Sequence, residues 1–126
     1  SQKVELYQKI IGLDTLEACD DLEDEIRDRY GDLPDAVSNL LQIAKIKVLS
    51  RLTGIGNIGI RRNKFEVKFL EGLAIDANKY AALHQKYQGQ ISYRQGRVGH
   101  LLVEKDKIDH KALAFLTKVL QEMAKE

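Results

Sequence analysis

Acidic side chains crowd one stretch of this 126-residue chain: Glu17, Asp20, Asp21, Glu23, Asp24, Glu25 and Asp28. Neighbouring carboxylates can share acid–base work or, with histidine, hold a metal. No His stands near this stretch, and the calcium-loop pattern D-x-[DN]-x-[DN]-G is absent from the sequence. A charge run on an amphipathic helix is the usual wet face of that helix. His84, His100 and His110 fall on three different expected elements and share no ligand spacing. Ser38 and Ser50 lack a G-x-S-x-G elbow. Cys19 falls on an apolar helical stripe, which suits a small buried hydrophobe. No nucleophile with a base beside it can be assembled from local spacing.

Gly54-Ile-Gly56-Asn-Ile-Gly59 spells G-x-G-x-x-G, the form of a dinucleotide fingerprint. That fingerprint needs a strand before it and a helix after it, so that a helix N-terminus meets the pyrophosphate. Here a helical pattern precedes it and a strand pattern follows, so the segment reads as a helix-to-strand connection. The phosphate-loop pattern GxxxxGK[ST] is missing. Basic residues gather from Lys45, Lys47 and Arg51 through Arg61, Arg62, Lys64 and Lys68, with Phe65 and Phe69 interleaved. That mixture suggests a nucleic-acid patch, with Arg61, Arg62 and Lys64 as its contacts. Base stacking would need the phenylalanines outside, whereas strict alternation turns them away from the charges and toward the core. An acidic helix and a basic hairpin also make the chain dipolar, which suits docking to complementary protein surfaces.

The elements that must position these groups follow from periodicity. Residues 3–12 read as a short helix ended by Gly12. Asp14 then offers an N-cap, with Glu17 three residues on. A second helix runs to about Tyr30, with Leu16, Cys19, Leu22, Ile26 and Tyr30 as its buried stripe. Gly31 suits a left-handed cap, and Pro34 suits the first turn of the next helix. That third helix, 34–53, is apolar on Val37, Leu40, Leu41, Ala44, Val48 and Leu52, and Ile43, Ile46 and Leu49 widen the stripe. Breadth of this kind places it centrally, packed on more than one side. From Ile58 the period becomes two, giving a hairpin through Phe69 with a turn at Arg62-Asn63-Lys64 and positive φ expected on Asn63. Asp76 caps a fourth helix along Tyr80, Leu83, His84 and Tyr87, stopped by Gly89. Residues 91–103 form a second hairpin turning at Gln95-Gly96-Arg97. Asp106 or Asp109 starts a last helix along Ala112, Leu113, Leu116, Leu120 and Met123. The fold class is α+β: an N-terminal three-helix segment, then hairpin, helix, hairpin and helix, around a small, mostly antiparallel sheet.

Within the second helix, Glu25, Asp28 and Arg29 fall at i, i+3 and i+4 and share a ridge beside the apolar stripe. Such a ridge is either a solvated shoulder, with Arg29 paired to Glu25 at i−4, or a docking surface. An exposed helical pair contributes only ~0.3–0.5 kcal/mol, so local stability alone scarcely requires these residues.

Composition bounds the class. The chain is 44% hydrophobic and 31% charged, enough to fold around a core as one domain over residues 1–126. A net charge of +1 gives no global attraction to nucleic acid. One Cys allows no intrachain disulfide and fits a reducing, cytoplasmic setting. No apolar run approaches the ~20 residues of a membrane span.

The stretch Leu22-x-x-Glu25-Ile26-x-Asp28-Arg29-Tyr30-Gly31-x-Leu33-Pro34 resembles the C-terminal domain of bacterial transcription-repair coupling factors. The likeness continues through Val37, Leu40, Leu41, Ala44-Lys45 and Gly54-Ile55 into the hairpin, and upstream to Tyr7-Gln8-Lys9-Ile10. It covers roughly residues 4–70; Thr53 stands where the family usually has Leu. The resemblance implies a parent that is a large ATPase translocating on double-stranded DNA, displacing stalled RNA polymerase and recruiting the repair protein UvrA. ATP and Mg would then belong to the parent's motor domains, with no cofactor and no catalysis in this domain. It further implies an autoinhibitory domain that docks on the parent's UvrB-like N-terminal module and masks the UvrA-binding surface, with Glu25, Asp28 and Arg29 at the contact. A start at Ser1 without Met agrees with a C-terminal regulatory domain excised from that parent.

Overall fold

A computed structural model describes residues 2–125. Helix α1 spans Gln2–Ile11 and buries Ile10, while Val4 and Ile11 face outward. Helix α2 spans Leu16–Tyr30. Its N-cap is Thr15, whose hydroxyl accepts the Ala18 N–H at 3.0 Å, and not the expected Asp14. Asp14 is committed elsewhere: its backbone carbonyl accepts a hydrogen bond from the Arg51 guanidinium, fastening the α1–α2 loop to the far end of α3. At the C-terminus the Gly31 N–H donates to Arg27 O at 2.9 Å. Gly31 has φ 80 and ψ −139, a positive φ as expected but outside the left-handed helical region. The chain therefore leaves α2 extended rather than curling back.

Helix α3 spans Asp35–Thr53, with Pro34 in the N-cap position one residue before the first turn. Gly54 closes it in the left-handed conformation, φ 74 and ψ 36, with its N–H on Ser50 O. The positive φ is what requires glycine at 54; a Cβ there would also meet the tip of the exposed Leu73 side chain, which can swing aside. Thr53 turns its hydroxyl back to Leu49 O at 2.7 Å, satisfying that group inside the last turn. Strand β1, Ile55–Arg61, follows at once, so Gly54 is the helix-to-strand connection and Gly56 and Gly59 lie within the strand, with the helix before and the strand after as their order implied.

Strands β2 (Lys64–Phe69), β3 (Ile91–Gln95) and β4 (Gly99–Glu104) complete one sheet in the order β1-β2-β4-β3, with every neighbouring pair antiparallel. Helix α4 spans Ala77–Lys86 and α5 spans His110–Ala124. Asp76 caps α4, accepting from Asn78 and Lys79 at 2.9 and 3.1 Å. Asp109, the second of the two candidates, caps α5 through Lys111 and Ala112 at 3.0 and 3.2 Å. Those two N–H donors hold the Asp109 carboxyl below its usual range. Arg61 pairs with Lys64 across the first turn, leaving a two-residue loop in which Arg62, not Asn63, takes the positive φ of 58.

Two apolar clusters make the core, and α3 belongs to both. Its N-terminal half, Val37, Leu41 and Ala44, packs with Ile10 of α1 and Cys19, Leu22 and Ile26 of α2. Its C-terminal half, Ile46 and Leu49, packs with α5 and with the inner face of the sheet, where Phe65, Val67 and Phe69 are buried beside Leu101 and Val103. The central position expected for this helix is thus realised, although Leu52 and Ile43 are exposed at 61% and 44%. Between the two clusters Lys45 is buried and reaches out along its stem to Asp20 at 3.3 Å and Glu23 at 3.4 Å. Cys19 lies fully buried in the same region; burial pushes its thiol up, against a smaller opposing pull from the Lys45 ammonium. No helix of the described residues is long and apolar enough to cross a membrane.

Two stability measurements follow. In urea unfolding, Thr15→Ala costs about 1 kcal/mol as the loss of a hydroxyl cap. Asp14→Ala, whose side chain caps nothing, stays within about 0.5 kcal/mol. Equal losses would return the cap to Asp14. Lys45→Met keeps the stem's packing and shifts stability by less than about 1 kcal/mol, whereas Lys45→Glu places a third carboxylate beside Asp20 and Glu23 and costs about 3 kcal/mol or more.

Candidate docking surface

The ridge on α2 is assembled by the helix alone. Leu22 and Ile26 lock its inner stripe into the N-terminal cluster, and this fixes the angle at which Glu25, Asp28 and Arg29 emerge. All three are exposed. Glu25 does not meet Arg29. Its Oε2 faces Lys9 Nζ on α1 at 3.8 Å, with both side chains about half exposed. A pair of that length in solvent contributes at most about 1 kcal/mol and is readily exchanged for another partner. Among the described residues, Asp28 and Arg29 make no ion pair within 4 Å; the ion pairs of α2 are Lys9–Glu25, Arg27–Glu23 and the two from Lys45. The internal pairing of Arg29 with Glu25 is therefore not formed.

The surroundings add a feature that periodicity hid. Tyr30 continues the buried spacing of Leu22 and Ile26, yet it is 56% exposed. Tyr30 closes the last turn of α2 beside Lys3, Leu6 and Tyr7 of α1 and Pro34, Ala36 and Val37 at the start of α3, which leave more than half of it uncovered. Tyr30 thus becomes the rim shared by two depressions. One, of about 130 Å³, holds Glu5, Lys9, Glu25 and Arg29 over a floor of Leu6 and Ile26. The other, of about 410 Å³, is largely apolar, lined by Leu6, Tyr7, Ile26, Pro34, Ala36 and Val37. The Arg29 guanidinium, the Glu25 carboxylate in its long pair with Lys9 and the edge of Tyr30 stand together on one corner. Chemically such a corner can pair charges bidentately and accept an apolar side chain.

The basic hairpin is placed differently. Arg61 and Arg62 are exposed and Lys64 is half-buried at the β1–β2 turn. Phe65 and Phe69 point into the core, so no aromatic of this hairpin is available for stacking on a base. The run of basic residues is also divided: Lys45 is neutralised by Asp20 and Glu23, and Arg51 is spent on the Asp14 carbonyl. His84 sits at the surface with Nδ1 3.1 Å from Ile91 O, a link between α4 and β3.

Comparison with known proteins places this arrangement. Residues 1–80 match the model of the TRCF domain. A transcription-repair-coupling factor of Haemophilus influenzae is 28% identical over 125 residues, covering 98% of this chain and 11% of that protein. One from Rickettsia bellii is 39% identical over 67 residues, covering 53% of the chain and 6% of the relative. The chain thus spans about a tenth or less of the length of these relatives. A crystal structure of the C-terminal domain of a transcription-repair coupling factor superposes with a TM-score of 0.70 at 22% identity, over 97% of this chain and 80% of that one, and so shares its five-helix, four-strand fold. With that model matched over more than half its length, the chain belongs to the TRCF domain family.

Proposed function

We propose that this domain is a non-catalytic, autoinhibitory module of a coupling factor. It works without a cofactor of its own and docks through Glu25, Asp28 and Arg29 on the UvrB-like N-terminal module of the same parent, covering the surface that UvrA binds. The observation carrying this reading is that Arg29 and Asp28 stand exposed without an ion pair among the described residues, beside a Glu25 held only by a long pair to Lys9. Toward α3 the charges of α2 are engaged, with Arg27 on Glu23 and Lys45 on Asp20 and Glu23, while among the described residues Glu17, Asp21 and Asp24 are exposed without an ion pair, as Asp28 and Arg29 are. A contact built from a few solvated charges is weak enough to be released, as regulation requires, and tethering in one chain makes up the affinity. Motor chemistry, ATP, polymerase displacement and double-stranded DNA translocation would belong to the rest of the parent.

Calorimetric titration of this domain with the separately expressed UvrB-like module tests the reading. Replacing Glu25, Asp28 and Arg29 together by alanine is expected to weaken binding at least about tenfold, the loss of roughly 1.4 kcal/mol. Circular dichroism and melting should be unchanged. In the intact parent the same triple substitution should raise UvrA binding. Unaltered docking and unaltered UvrA binding in the triple variant would overturn the assignment.

A further inference from the structure

A second charged surface lies away from the α2 ridge, and the docking reading does not use it. Along α5, Lys111 and Lys118 stand at i and i+7, about 10.5 Å apart on one face. Both are exposed, and among the described residues neither makes an ion pair. They border a cleft of about 390 Å³ against α3, whose floor includes Gln42, Phe115 and Gln121. The one acidic residue of α5, Glu122, is held by the Lys86 ammonium of α4, and that hydrogen bond keeps its carboxyl below the usual range. Glu122 is thereby held toward α4, although it still feels the Lys118 ammonium one turn back, so Lys111 is the α5 lysine with no carboxylate on its own helix nearby.

The basic hairpin turn adjoins this helix. The Lys105 N–H donates to Asn63 O at 3.0 Å, joining the segment after β4 to the β1–β2 turn. The Lys105 ammonium lies 5.1 Å from the centre of the Phe115 ring, and Phe115 lines the same cleft as Lys111 and Lys118. Contact by contact, Arg61, Arg62 and Lys64 lead through Lys105 to Lys111 and Lys118. Against these six cations, Glu104 stands directly across from Lys64 at the end of β4, and Asp106 lies in the connecting segment. Asp109 is turned into the helix cap.

We infer that this strip is a binding surface for the phosphate backbone of double-stranded nucleic acid. Three observations select that occupant. Spaced, unpaired cations on long stems are what counterion release from a duplex requires. An acidic protein partner would be expected to bury an aromatic or aliphatic anchor on the strip, yet the one fully exposed position of α5 between the lysines is Ala114. Single strands are bound through stacking platforms, and the nearby rings are unavailable: Phe65 and Phe69 are in the core, and Phe115 is edge-packed on Tyr87 at 5.2 Å. Binding should therefore be independent of sequence and steep in salt.

The test is fluorescence anisotropy of this chain with a labelled mixed-sequence DNA duplex of about 20 base pairs at several salt concentrations. If five of the six cations reach phosphates, the slope of log affinity against log salt is about −4.5, a loss near 500-fold between about 50 and 200 mM salt. Lys111→Gln with Lys118→Gln should flatten the slope by about 1.8, and Arg62→Gln by about 0.9. Lys3→Gln with Lys9→Gln, off the strip, should change neither. The Glu25, Asp28 and Arg29 triple-alanine variant should retain duplex binding, which separates failure of this inference from failure of the docking reading. Absence of binding at the lowest salt would overturn the inference. So would slopes indifferent to the strip variants, or competition by poly-glutamate equal to that of unlabelled duplex, which would mark an acidic protein as the occupant.

Discussion

Helix α3 has to be buried on two sides at once, and the rest of the fold is arranged to meet that demand. One helix carries the apolar residues of two clusters, Val37, Leu41 and Ala44 in the first and Ile46 and Leu49 in the second. Neither α1 and α2 nor the sheet with α5 could cover it alone, because the stripe turns through more of the helix circumference than a single partner spans. Thus α1 and α2 close over one end, and α5 with the inner face of the sheet closes over the other. The cationic residue of α3 caught between them, Lys45, is compatible with burial because its ammonium reaches Asp20 and Glu23 at the edge. The Arg51 guanidinium on the Asp14 carbonyl ties the same helix to the loop that begins α2. The pitch and position of α2, and hence the direction in which its ridge points, are consequences of how α3 is packed.

That packing also sorts the charges. Where α2 meets α3, the charged groups are paired and quiet. At the outer ridge and along α5, exposed groups stand without close partners, of mixed sign on the first and positive on the second. A net charge of +1 hides this division. Single exposed pairs such as Lys9–Glu25 stabilise the fold little, so the ridge can exchange partners without loosening the domain. This is the property wanted of a contact that must open.

Much of this was legible in the sequence for identifiable reasons. The α2–Gly31–Pro34–α3 junction was readable because helical spacing, a glycine and a proline all mark the same boundary. The sheet was readable because Phe65, Val67 and Phe69 alternate strictly with charges. Asp76 has no rival for its cap. What was missed depended on tertiary neighbours. Asp14 and Thr15 can both cap a helix, and the choice falls to Thr15 while Arg51 fixes the carbonyl of Asp14. Tyr30 has the spacing of a core residue, but spacing cannot say that the neighbouring residues of α1 and α3 leave it more than half uncovered. Asn63 is the better residue for positive φ, yet the geometry of the two-residue loop places that conformation on Arg62. Among the basic residues, the sequence grouped Lys45 with the hairpin, whereas the fold pairs it with Asp20 and Glu23 of α2 and brings Lys105 to the hairpin turn instead. No local pattern carries that regrouping.

The measurement that bears most directly on the proposed docking role is amide hydrogen exchange, followed in the isolated domain and in the same domain within a full-length coupling factor. A ridge buried against another module predicts slower exchange over residues 22–31 in the longer chain, with α5 exchanging equally in both. Identical exchange over residues 22–31 in the two settings, or protection confined to α5, would contradict it.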